Sequence, residues 1–163
     1  LVMDYIEGDT LSGVIGRAEI MDVIEPGGLG GTYAGSPVAL AVASAVLDVI
    51  EEEGLLARAV EIGARIRTRI AACTKRNDLV PISGLRGPGA MIAFDIVRAD
   101  GTPDGVEAKR VCSRALSEGL ILLTCGHQGQ AIRILVPLTA SDALIDEGLD
   151  ALERALVPED TAV

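Results

Sequence analysis

Apolar positions along the chain recur with two different periods. Leu55, Ala59, Ile62, Ile66 and Ile70 follow one another at three- or four-residue spacing, which puts them on one side of a helix. Arg58, Glu61, Arg65 and Arg69 occupy its other face. From Ala90 to Val97 the period falls to two: Ile92, Phe94 and Ile96 alternate with Met91, Ala93, Asp95 and Val97, the pattern of a strand covered on one side. Ser12 to Ile15 reads as a further short strand, and Arg17 to Ile24 as one or two helical turns. Ser36-Pro37 is a helix start, with a capping side chain and a residue suited to the first turn, and that helix runs to about Glu53 before Gly54 stops it. It is apolar nearly all round as far as Asp48, which predicts burial. A helix over about Val106 to Glu118 follows the turn cluster Asp100 to Gly105. Strands Leu120 to Thr124 and Ala131 to Val136 flank a polar loop, and Ser141-Asp142 caps a last helix ending near Leu156. Helices and strands alternating around a small sheet predict an α/β fold.

Two glycine-rich segments interrupt this pattern. Pro26 to Gly35 holds five glycines, and Gly84-Leu85-Arg86-Gly87-Pro88-Gly89 reads as a turn leading into the Ala90 strand. The first runs directly into the helix at Ser36. Free N–H groups and the positive end of a helix dipole make such junctions anion sites, to which the Thr32 hydroxyl could add a donor. A plain linker accounts for the same spacing, because no Walker-type lysine follows.

Composition narrows the choice. The chain has 163 residues, 49% of them hydrophobic but only 2% aromatic, so the core is aliphatic. Its net charge of −10 repels phosphate backbones, which argues against nucleic acid as a partner. Cys73, Cys112 and Cys125 are an odd number without a C-x-x-C pair, which suits neither a disulfide framework nor a zinc ribbon and points to the cytoplasm. Val38 to Leu47 is too short to span a membrane, and no signal peptide is expected.

Among single residues, Arg133 is the only charge in the apolar run Ala131 to Val136. A buried arginine needs a partner, and either a substrate carboxylate or an internal Asp or Glu would serve. Cys125 reads as a small buried apolar residue and His127 as a solvated loop residue, with no third group to build a nucleophile around them. Glu51 to Glu53 read as a solvated helix end next to the unfavourable pole of its dipole.

Four stretches, in order, carry a resemblance. They are Leu11 to Gly16 (LSGVIG), Gly30 to Pro37 (GGTYAGSP), Arg86 to Ile92 (RGxGAMI), and Gly119 to Gly126 (GLILLxCG) followed by Ile132 to Thr139 (IRILVPLT). Together they resemble the C-terminal part of class III pyridoxal-phosphate-dependent aminotransferases, nearest the 4-aminobutyrate branch. The resemblance implies the C-terminal part of a fold-type I transferase: the end of the large domain and connecting helices over 12–77, a small α/β domain over 78–157, and a tail over 158–163. It implies that Thr32, with Gly31, holds the cofactor phosphate of the neighbouring subunit in a homodimer, and that Arg133 receives the carboxylate of glutamate or 2-oxoglutarate. The family's lysine, which forms the Schiff base with pyridoxal phosphate and serves as base in the proton shift, would fall at Met3, and only Lys75 and Lys109 are present elsewhere. The expectation is therefore a truncated aminotransferase, inactive alone, with a non-catalytic binding or oligomerisation module as the alternative. Residues 1–11 resemble instead the hinge of phosphotransferase or protein-kinase-like folds, although eleven residues cannot make that domain and G-x-G-x-x-G, H-R-D and D-F-G are all missing.

Overall fold

A computed structural model describes residues 2–6, 9–13, 17–25, 28 and 36–158. The chain divides into two compact units, Leu1–Glu53 and Gly54–Val163.

In the first unit, β1 (Val2–Ile6) and β2 (Asp9–Gly13) form an antiparallel hairpin with Val2 opposite Gly13. The boundary expected after residue 11 therefore falls inside a strand. Helix α1 (Ala18–Met21) is a single turn, and α2 (Pro37–Glu52) starts with Pro37 in its first turn, as the Ser36-Pro37 signal predicts. The Ser36 side chain makes no capping hydrogen bond. One expectation is overturned, since α2 buries none of its residues and Val38, Leu40, Leu47 and Val49 are exposed. A helix apolar on every side needs cover on every side, and the described residues do not supply it.

The second unit begins at Gly54, whose φ of 62° is a left-handed conformation that suits glycine and lets the chain restart at once as α3 (Leu55–Cys73). It continues through β3 (Ile82–Arg86), β4 (Met91–Ile96), α4 (Gly105–Ser117), β5 (Leu123–Cys125), β6 (Ala131–Leu135) and α5 (Asp142–Ala155). The four strands make an antiparallel sheet in the order β3-β4-β6-β5. Strand β3 runs into the segment read as a glycine-rich turn, taking in Gly84 to Arg86, and β5 begins three residues later than expected.

The helices cover one face of the sheet. Ile62, Ile66 and Ile70 of α3, Ala108, Val111 and Ala115 of α4, and Leu149 and Leu152 of α5 join Ile92, Phe94, Ile96, Ile132 and Ile134 in one aliphatic core. Complete burial of each large member stabilises the unit by about 1.5–3 kcal/mol. The α3 and β4 members are those the two periodicities select. Both later helices start on side-chain caps: Asp104 accepts from the Glu107 N–H at 3.0 Å and Ser141 from the Leu144 N–H at 3.3 Å. The last helix is also stitched to what precedes it, because the Val80 N–H donates to the Leu156 carbonyl at 2.9 Å and Arg114 Nε to the Ala155 carbonyl at 2.7 Å.

Candidate functional site

The other face of the sheet is left open by the helices, and the candidate chemistry lies there. Ala93 of β4 sits directly opposite Arg133 of β6 and, on its other side, opposite Arg86 of β3; Leu123 of β5 is opposite Arg133 in turn. Side chains opposite one another on neighbouring strands point to the same face. Arg86, Ala93, Arg133 and Leu123 therefore form one row across all four strands. The adjacent row holds Asp95, opposite Ala131, and Cys125, also opposite Ala131. Met91 and Leu135 form the row on the other side, and both are exposed.

Arg133 is exposed. This corrects the expectation of a buried arginine in an apolar strand. The run Ala131 to Leu135 lines the core on one side only, and at Arg133 and Leu135 the other side is open: Ile132 is 0% exposed and Leu135 65%. Among the described residues Arg133 makes no ion pair or side-chain hydrogen bond. The internal carboxylate that could have satisfied it, Asp95, is held by Arg86 instead. Arg86 Nη1 donates to Asp95 Oδ2 at 2.9 Å and Nη2 to Oδ1 at 2.8 Å, a two-handed pair. The same Nη1 donates to the Gly84 carbonyl at 2.6 Å. The Arg86 guanidinium is held further above its ordinary pKa by the Asp95 hydrogen bonds, so it keeps its charge at any working pH.

Cys125 is half-buried on this open face rather than in the core, a second correction of the same origin. His127 is exposed in the β5–β6 loop, as expected. Gly31 and Thr32, the expected phosphate-holding residues, lie outside the described residues, as does the rest of 29–35. No lysine stands beside Arg133 among the described residues: Lys75 is in the turn after α3 and Lys109 on α4, both exposed.

A second concentration of charge, between α3 and α5, has a different character. Arg58 pairs with Asp142 at 2.7 Å, Arg65 with Asp142 at 2.5 Å and Asp146 at 2.9 Å, Arg69 with Asp150 and with Glu153 at 3.0 Å, and Arg76 with Glu153 and with Asp78 at 2.5 Å. Every arginine of this ladder has a carboxylate partner, so the groove it lines joins two helices and leaves no charge free for a ligand.

The family described as aminotransferase class-III matches residues 6–156. The chain is 48% identical over 148 residues to the 5-aminovalerate aminotransferase DavT of Pseudomonas putida, covering 90% of this chain and 34% of that protein. It is 44% identical over 150 residues to the 4-aminobutyrate aminotransferase GabT of Escherichia coli, again 90% of this chain and 34% of the relative. Among solved structures it is similar to an acetylornithine aminotransferase from Elizabethkingia anophelis, with a TM-score of 0.70 and 34% identity over 86% of this chain and 35% of the other. A phospholyase from Arthrobacter, solved with phosphoethanolamine, aligns with a TM-score of 0.75 at 26% identity over 87% of this chain and 34% of the other. The chain spans about a third of the length of the curated relatives it matches.

Proposed function

Since the chain belongs to the class-III aminotransferases, we propose that it is a portion of an enzyme moving the amino group of 4-aminobutyrate or a similar ω-amino acid to 2-oxoglutarate. In this reading Arg133 receives the carboxylate of glutamate or 2-oxoglutarate. The observation that carries it is the exposed guanidinium of Arg133 on the open sheet face, unpaired among the described residues while the adjacent carboxylate is engaged by Arg86. A planar fork of donors suits a carboxylate two-handed.

Thr32 and Gly31 would hold the phosphate of pyridoxal phosphate belonging to the neighbouring subunit of a homodimer, and the enzyme would work in the cytoplasm. Because the family's cofactor-bearing lysine falls at Met3, the 163-residue chain alone does not turn over. The test is direct: the purified chain, supplied with pyridoxal phosphate, 4-aminobutyrate and 2-oxoglutarate, yields no glutamate above a protein-free control. Sustained glutamate formation would refute the inactivity. Residues 54–158, placed into a complete class-III aminotransferase, should support the glutamate half-reaction, and Arg133→Glu in that chimera should abolish it. An unimpaired half-reaction would remove Arg133 from the carboxylate role.

The exposed apolar side chains of α2 favour a second reading, a non-catalytic module that associates with itself or a partner. Light scattering on the eluting chain decides it, a monomer at all concentrations ruling out self-association.

A further inference from the structure

Asp95 lies between two arginines that the sheet register places symmetrically about it. Ala93 and Asp95 are two residues apart on β4 and share a face. Arg86 and Arg133 both stand opposite Ala93, one on each neighbouring strand. Each arginine is therefore diagonal to Asp95, a separation that a long side chain spans. Two guanidinium groups compete for one carboxylate, and the winner decides whether Arg133 is available to anything else.

The structure gives the carboxylate to Arg86, and the reason is local. Arg86 is fixed from two directions, because both Asp95 oxygens accept from it and the Gly84 carbonyl accepts from Nη1 as well. That third bond depends on the backbone of β3, where the register shifts between Ser83 and Arg86 and Gly84 takes a φ of 62°. A bulge re-aims the residue beside it. Arg133, on regular backbone in β6, has no comparable anchor.

We infer that Arg86 is a positioning residue: it withholds Asp95 from Arg133 and so keeps the Arg133 guanidinium open to a substrate carboxylate. This rests on the proposed role of Arg133. With Asp95 held by Arg86, the Arg133 guanidinium keeps an uncompensated positive charge for one carboxylate, whereas an Asp95–Arg133 pair would be neutral and already occupied.

The experiment uses the 163-residue chain labelled with 15N-arginine, reading the Nε–Hε signal of Arg133 by NMR, with glutarate as the carboxylate probe. In the parent chain the Arg133 Hε exchanges with water like a free guanidinium. In Arg86→Gln it slows and shifts, because Asp95 turns to Arg133. In Arg86→Gln/Asp95→Asn it returns to the parent behaviour. Asp95→Asn alone leaves it unchanged, a control that stands even if Arg86→Gln is poorly folded. Glutarate binding, followed at the same signal, weakens about two- to fivefold in Arg86→Gln, the size of an exposed ion pair, and recovers in the double variant. An Arg133 signal indifferent to Arg86→Gln, or altered by Asp95→Asn alone, overturns the inference. If glutarate leaves Arg133 undisturbed in the parent chain, the carboxylate role of Arg133 fails, while the Hε exchange still decides whether Arg86 withholds Asp95.

Discussion

Replacing Gly63 by alanine should destabilise the second unit, although helix propensity alone says the reverse. Gly63 is in the middle of α3, where alanine is favoured over glycine by about 1 kcal/mol. Its Cα, however, faces the turn between β3 and β4. A Cβ at this position would lie 2.6 Å from the Gly89 carbonyl carbon, 3.3 Å from its Cα, and nearer still to its oxygen. Ordinary contact needs about 3.4 Å or more, so helix and turn must separate by roughly an ångström. Forcing a methyl group into a packed contact costs about 1–3 kcal/mol, and the obstacle here is backbone, which cannot rotate away. After the propensity gain of about 1 kcal/mol, the expected net loss is up to about 2 kcal/mol. Gly148 in α5 is the matched control: a Cβ there meets only Leu120 Cδ1, at 3.7 Å. Gly148→Ala should gain about 0.5–1 kcal/mol. Urea unfolding of the parent and both variants, followed by circular dichroism at 222 nm, should move the midpoints in opposite directions with the slope unchanged. A Gly63→Ala midpoint at or above the parent's would refute the steric argument.

Two further outcomes follow from polar contacts. Hydrogen bonds from Arg58 and Arg76 hold the Asp142 and Asp78 carboxyls below the usual carboxylate range. A depressed folded-state pKa stabilises the fold above the unfolded value of about 3.9 and loses that contribution as pH falls through it to the folded value. The urea midpoint should stay level from about pH 7 to pH 5 and then drop toward pH 3, less steeply in Asp142→Asn; a midpoint level to pH 3 would contradict this. Asp104→Ala removes the cap of α4 and should cost about 1 kcal/mol, read from the same unfolding curves, and an unchanged midpoint would show the cap to be idle.

Legibility in the sequence tracked how far each element depends on its own residues. The α3 stripe and the β4 alternation are local patterns that correctly name their share of the core, and the cap at Ser141 is local too, whereas Asp104 reads only as part of a turn cluster. Strand β3 was hidden because its alternation is broken where it forms: Gly84 adopts a left-handed conformation and the register shifts before Arg86. The start of β5 depends on its partner, since only Leu123 to Cys125 find residues of β6 to pair with. The sequence marks Arg133 as chemically unusual but not as exposed, because an apolar strand reads the same whether its second face meets a helix layer or lies open. The competition for Asp95 was invisible in the sequence, arising from register across three strands.

The charge ladder joining α3 and α5 bears on the order of assembly. Its partners across the two helices lie 77 to 84 residues apart in sequence, and the four-stranded sheet is made from the chain between them. Both helices must find the sheet before the ladder can close, so the closure cost falls late, once β4 and β6 have paired. Interactions absent from the transition state act on escape from the folded state rather than on entry to it. Neutralising Arg65 or Arg69 should thus shorten the folded lifetime while leaving the refolding rate nearly as it was: the ladder works as a latch and not as a guide.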